Sequence, residues 1–282
     1  MDMEKGEKCS MLPESEVKRK LRDGEVVSLV FLQSTDPKTA EAIAYSGVDM
    51  IVIDNEHSSF TTEQITNTAR AITALGKAAI VRTTVCDKNA LAHLMDTGIS
   101  GVFVTMIKDA KAAQEVINGV KFRLPDGEPG GARGVCFNSR AAAYGMHGMT
   151  KEDYFRWNNR NSIIMVDVET QSAIEDLENI IALDQIDVVH TGMWDLASAY
   201  GHPGHAEDPE IVELNTKAVN RIIEKTGWCC AYAEYPESVP DVIARGFRMV
   251  NLGNEDEILA RYFRACQEKI DEYNASQKKC KE

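Results

Sequence analysis

The sequence predicts an α/β fold of the (β/α)8, or TIM-barrel, class. Three observations predict it: short strand-like runs that are apolar throughout, their steady alternation with helix-period segments, and eight such units within 282 residues. Strands that lack polar alternation belong to parallel sheets covered on both faces. Alternating units build such sheets, and a closed barrel of roughly 250 residues uses eight strands where an open doubly wound sheet more often uses five or six.

Residues 1 to 14 are polar and are expected to form a flexible tail, with residues 15 to 282 as a single barrel domain. A short helix over Ser15 to Arg22 ends at Asp23-Gly24, and Val26 to Leu32 is the first strand. A turn through Pro37 opens a helix that runs to Tyr45, with Ala40, Ile43 and Ala44 on one face. Met50 to Asp54 is the second strand, followed by a helix over Thr61 to Leu75 that Gly76 closes. Ala78 to Thr83 is the third, with a helix over Asn89 to Thr97. Gly101 to Met106 is the fourth, and Asp109 caps a helix reaching Phe122. The rhythm then breaks, because no further strand appears until Ser162, and the extended loop holds one helix over Thr150 to Trp157. Ile163 to Val168, Ile186 to Thr191, Trp228 to Ala233 and Phe247 to Leu252 complete the eight strands. Their helices cover Ala173 to Leu183, Met193 to Tyr200 with Pro209 to Lys225, and Glu237 to Arg245. A long helix, Glu255 to Tyr273, closes the chain.

Lys+Arg 31 against Asp+Glu 44 leaves a net charge of -13, which disfavours nucleic acid and anionic membranes as partners. No apolar run approaches the ~20 residues that span a bilayer, so a cytoplasmic protein is expected. The seven cysteines are scattered without a C-x-x-C pair and are read as reduced thiols.

Polar side chains at strand ends are costly unless they are paired or coordinating, which makes them candidates for a site. Asp54, Glu56 and His57 follow the second strand, Arg82 ends the third, and Asp167 and Glu169 end the fifth. His190 and Asp195 flank the end of the sixth. Asp167 and Glu169 are two apart and face one side of the strand. With Asp195 they offer hard oxygen ligands without thiolate, a set suited to Mg2+ or Mn2+. The structural alternative has Asp195 capping a turn and Glu169 pairing with Arg82. Asp54 three residues before His57 fits a carboxylate that orients an imidazole, and Arg82 fits stabilisation of a developing oxyanion. His93, His202 and His205 read as surface residues, and His190 as a satisfied core histidine. The Gly127 to Gly134 run lacks the Lys-Ser/Thr ending of a P-loop and is expected to be a flexible lid.

With these residues in view, the chain resembles the HpcH/HpaI aldolase and citrate lyase family of metal-dependent pyruvate aldolases. Asp54-Asn55-Glu56-His57 is similar to the family's D-G-E-H, Val81-Arg82 to its V-R, and Gly131-Ala132-Arg133-Gly134-Val135 to its G-x-R-G-V. Val168-Glu169-Thr170 is similar to its I-E-T and Gly192-Met193-Trp194-Asp195-Leu196 to its G-P-x-D-L. The resemblance implies that Glu169 and Asp195 hold a divalent ion, Mg2+ or Mn2+ with Co2+ as a further candidate. It implies that His57, oriented by Asp54, is the acid/base and that Arg82 stabilises the enolate oxygen of pyruvate. Asp167, Gly192, Trp194 and Arg133 are then the expected substrate contacts.

The implied reaction forms or cleaves a hydroxy-2-oxo acid, with a small 2-oxo acid and an aldehyde as partners. The alternatives are decarboxylation of a 2-oxo dicarboxylate such as oxaloacetate, and a silent metabolite-binding barrel. A hexamer built as a trimer of dimers that exchange closing helices is also implied. The chain departs from the family pattern at Asn55 for glycine, Thr105 for proline, Asp167 for glutamine and Met193-Trp194 for a small pair.

Overall fold

The computed structural model describes residues 12–125 and 127–279. Of the expected tail, residues 1–11 lie outside the described residues. Leu12 to Glu14 lead into the helix Glu16–Arg22, where the Ser15 hydroxyl accepts from the amide of Lys18.

Eight parallel strands form the barrel: β1 (Val27–Leu32), β2 (Met50–Asp54), β3 (Ala78–Thr83), β4 (Gly101–Val104), β5 (Ile163–Asp167), β6 (Val188–His190), β7 (Cys230–Tyr232) and β8 (Met249–Asn254). Their order is β6-β5-β4-β3-β2-β1-β8-β7, so β1 pairs with both β2 and β8 and the sheet curls almost shut. The seam lies between β6 and β7, the two shortest strands, which lie side by side without a ladder.

The strands are apolar on both sides because each side has its own core. Leu29, Phe31, Met50, Val52, Ile80, Phe103, Met165, Val188, Cys230 and Met249 pack together as the barrel interior. Their neighbours in sequence, among them Val30, Ile51, Val81, Val102, Ile164 and Val189, pack outward against the helices. Successive strand residues face opposite ways. The inward rows therefore continue past Phe31 to Gln33, past Val52 to Asp54, past Ile80 to Arg82 and past Phe103 to Thr105. They likewise continue past Met165 to Asp167 and Glu169, and past Val188 to His190. A ring of polar side chains thus crowns an apolar interior at the carboxyl ends of the strands.

Several element boundaries differ from expectation. Strand β4 stops at Val104, and two residues on Met106 takes a left-handed backbone with φ 55°. The helix expected over Ala173 to Leu183 divides into Gln171–Glu175 and Leu177–Ile181. Asp176 at the break accepts instead from the amide of Ala110 and the amide group of Asn179.

The long connection before β5 is not the expected lid. Gly131, Ala132 and Arg133 donate their amides to the carbonyls of Phe122, Asn118 and Lys121. This seats the run on the end of the helix Ala110–Val120. Glycine is required for that approach: a Cβ at Gly131 would stand 2.5 Å from the carbonyl oxygens of Ile117 and Lys121. The helix Lys151–Asn161, begun by Thr150 as its cap, completes the insertion through an aromatic cluster of Phe122, Tyr154 and their neighbours. The closing helix, Glu255–Lys279, is exposed along almost its whole length. None of the helices among the described residues is long and apolar enough to cross a membrane.

Candidate active site at the barrel mouth

Asp54 is the most heavily bonded group of the ring. It is fully buried, and both of its oxygens accept from Arg82, at 2.9 Å from Nε and 2.6 Å from Nη2. It also accepts from the side-chain amide of Gln33 at 3.2 Å and from the backbone amides of Glu56 and His57. Burial works against the Asp54 anion, but the Arg82 pair and the two backbone amides outweigh it and hold the carboxyl below its ordinary range.

The expected contact between Asp54 and the His57 imidazole is therefore made differently, to the backbone of His57. The imidazole stands on the rim, 60% exposed, with its Nε2 3.9 Å from Glu56. Glu56 bridges inward to Arg82 Nε at 3.4 Å and accepts from the Thr105 hydroxyl at 2.8 Å. The threonine that departs from the family pattern thus has a partner in the ring. Arg82 lies over the Phe31 ring, and its Nη1 makes no hydrogen bond within the described protein.

Across the mouth stands Glu169, 4% exposed, accepting from the amide of Met106 at 2.9 Å. Among the described residues it makes no ion pair, so the structural alternative of an Arg82–Glu169 pair is not what forms. Burial, and then the charge of Asp167 with smaller contributions from Asp195 and Glu56, pushes the Glu169 carboxyl up to about 9, against the opposing Met106 amide. Gly192 is placed by this carboxylate: a Cβ there would lie 2.2 Å from Glu169 Oε2.

Asp167 pairs with His190, Oδ2 to Nδ1 at 3.0 Å, and its Oδ1 is buried without a hydrogen-bond partner. Asp195 lies in the first turn of the helix Met193–Ala199 and is exposed. Trp194 is 64% exposed, while Met193 turns inward onto Ala197, Ala206 and Ile211.

Arg133 does not join the site. Its guanidinium donates to Asn158 at 3.0 Å and Asp96 at 2.7 Å, and it lies over the Phe122 ring. Asp96 ends the helix Lys88–Asp96, the far end from the mouth, so the arginine ties the insertion to the barrel floor. Sequence reasoning missed Gln33, Met106 and Glu255. Glu255 is buried and accepts the amides of Gln33 and Ser34, joining the closing helix to the end of β1. The period of two, carried past Phe31, is the signal that could have found Gln33.

The donor set fits a hard divalent cation. An orphaned buried oxygen on Asp167, a glutamate raised by burial and then by its like-charged neighbours, and a glycine that keeps space before that glutamate are what such an ion would answer. Among the described residues no group of three or more His, Cys, Asp or Glu side chains is placed to hold a metal ion. Two carboxylates leave coordination positions for water and substrate.

The family model of HpcH/HpaI aldolase/citrate lyase matches residues 27–256, and so spans β1 to β8 and every ring residue named above. The chain belongs to this family. It is similar to the 2-keto-3-deoxy-L-rhamnonate aldolase of Escherichia coli O17:K52:H18, 28% identical over 237 residues, 84% of this chain and 85% of the relative. Among solved structures, an HpcH/HpaI aldolase/citrate lyase family protein from Burkholderia cenocepacia J2315 superposes with TM-score 0.81 at 25% identity, covering 91% of this chain and 99% of that one. The citrate synthase SbnG shares the fold, with TM-score 0.79 at 22% identity and coverage of 92% and 98%.

Proposed function

We propose that the protein is an aldolase, a carbon–carbon lyase that forms or cleaves a hydroxy-2-oxo acid into a pyruvate-type 2-oxo acid and an aldehyde. The observation that carries the reading is the opposed pair of assemblies at the mouth of a family barrel. Arg82 locked on Asp54 stands on one side, and the uncompensated carboxylates around Glu169 stand on the other. The naming of the Escherichia coli relative as an aldolase supports it.

Glu169 and Asp195 are the residues that would hold the ion, Mg2+ or Mn2+ with Co2+ as a further candidate. When bound, a divalent cation supplies a Lewis acid that makes the protons at C3 of a 2-oxo acid acidic. The remaining work falls to the chain. Asp54 spends its lone pairs on Arg82 and so fixes the guanidinium, whose unbonded Nη1 can meet a developing oxyanion at little reorganisation cost. His57, its backbone pinned by Asp54, stands on the rim where its imidazole can exchange a proton at C3 with solvent. Asp167, Gly192 and Trp194 border the substrate space.

The barrel acts as one domain from residue 15 onward, on small metabolites in the cytoplasm. The exposed apolar side chains of the closing helix pack on further copies of the chain to give a hexamer. The test is cleavage of a hydroxy-2-oxo acid, with methyl deuterium exchange of pyruvate as the partial reaction. Chelation or Glu169→Ala is expected to abolish both, and unchanged activity after either would sink the reading. Carbon dioxide released from oxaloacetate, with no cleavage of a hydroxy-2-oxo acid, would replace the aldolase by a decarboxylase.

A further inference from the structure

We propose that His190, held by Asp167, is a second catalytic base of this site, taking the proton of the substrate's C4 hydroxyl as the C3–C4 bond breaks. The inference rests on the reading of the protein as an aldolase. Retro-aldol cleavage moves two protons. The O–H bond at C4 breaks, C4 gains its carbonyl, and the electron pair of C3–C4 becomes that of the pyruvate enolate. A proton added at C3 then yields pyruvate, so the balance is neutral. In the direction of synthesis, His190 returns its proton to the new alkoxide.

His57 is built for only one of these transfers. It is open to solvent, its ring has no carboxylate closer than Glu56 at 3.9 Å, and Asp54 is committed to Arg82 and to main-chain amides. His190 has what His57 lacks. Asp167 and His190 stand directly opposite each other in the β5–β6 ladder, both facing inward. The carboxylate is 4% exposed and lies 3.0 Å from Nδ1. A carboxylate in this position accepts a hydrogen bond from Nδ1–H, the tautomer that leaves the ring's lone pair on Nε2.

Nε2 has no hydrogen bond within the described protein, and the side chain keeps 24% of its exposure. The ring is therefore reachable, unlike a satisfied core histidine. Phe103 from β4 meets it edge-on at 5.7 Å between centroids and fixes its plane. Gly192, two residues further on, carries no side chain to cover it. The other titratable groups around the pair are Glu169 on the same strand end and the thiols of Cys229 and Cys230 at β7. Burial chiefly, and the Asp167 charge in addition, keeps both thiols protonated.

The test is steady-state cleavage of the pyruvate–acetaldehyde aldol with Mn2+ present. The variants are His190→Asn, which can still bond Asp167 but cannot carry a proton, and His190→Ala with and without added imidazole. His190→Asn is expected to lose roughly 10²- to 10⁴-fold in kcat with little change in KM, the range of a general base. His190→Ala is expected to regain about tenfold or more of its kcat on addition of imidazole, which a packing defect would not do. Asp167→Asn is expected to fall between wild type and His190→Asn. The inference is overturned if His190→Asn keeps roughly a third or more of wild-type kcat, or if imidazole restores nothing to His190→Ala. Wild-type protein that neither cleaves the aldol nor exchanges the methyl protons of pyruvate defeats the aldolase reading itself. Cleavage that proceeds but is indifferent to His190 defeats this inference alone.

Discussion

At Glu169, burial and neighbouring carboxylates act in the same direction, so the folded protein holds that proton far more tightly than the unfolded chain does. With the carboxyl raised from 4.5 to about 9, the contribution to stability is full below about pH 4.5 and is lost as pH rises toward about 9. Metal-free protein is therefore expected to show a thermal midpoint that falls across that window, its unfolding free energy dropping by no more than about 1.4 kcal/mol per pH unit. Glu169→Gln should flatten the slope. Added Mn2+ should raise the wild-type midpoint more at about pH 8 than at about pH 5, and a midpoint indifferent to metal at both would count against ion binding here. Arg82 gives a second prediction. A lysine cannot span both oxygens of Asp54 and still offer a free nitrogen in the same plane. Arg82→Lys is expected to lower kcat by roughly 10²- to 10³-fold, the cost of one preorganised oxyanion donor, as read in the cleavage assay.

The insertion before β5 illustrates what an element contributes without touching substrate. Arg133 and Lys121 both spend their charge on it: Lys121 donates to the carbonyls of Asn159 and Ser162 at the end of the helix Lys151–Asn161, and Arg133 reaches Asn158 and Asp96. Removing the buried guanidinium strands Asp96 and empties the space over Phe122. Arg133→Ala is expected to destabilise the fold by about 2–4 kcal/mol, below the full cost of a buried pair because Asp96 is partly solvated. KM for the 2-oxo acid should stay at its wild-type value. Denaturant unfolding together with steady-state kinetics separates this role from the substrate contact that the motif implied. The strand-end carboxylates and Arg82 were legible because ionisable groups stand out at the end of apolar runs. Arg133 was misplaced because a motif gives no direction: only the amide contacts of Gly131 to Arg133 with the preceding helix turn its side chain to the floor.

For the whole molecule, the closing helix is the part that one chain leaves unexplained. Leu259, Tyr262, Phe263, Ile270 and Tyr273 are exposed on it, more apolar surface than a lone helix carries without a partner. Its first residue, Glu255, holds Gln33 and Ser34, and Gln33 in turn touches Asp54, so the helix is wired to the site. Tyr262→Asp with Phe263→Asp is expected to yield a smaller species in sedimentation velocity and to lower kcat in the same samples. An unchanged sedimentation coefficient would refute the role given to this helix in assembly.

The sequence by itself determined the barrel, because eight doubly apolar strands with helices between them have few other ways to bury both faces. It also marked the ionisable residues at the strand ends, since the period of two continues past each strand, but it missed Glu255 and placed Arg133 among them. Beginning from the Asp54 to His57 stretch, it did not determine the pairing within that ring. Asp54 could have taken His57 or Arg82, and Asp167 could have taken Arg82, metal, substrate or His190. Such choices are made by contacts between strands far apart in the chain, which decide which donors come within hydrogen-bond distance of each carboxylate. Tertiary structure gave Asp54 to Arg82 and Asp167 to His190, and with that moved a core histidine into the chemistry.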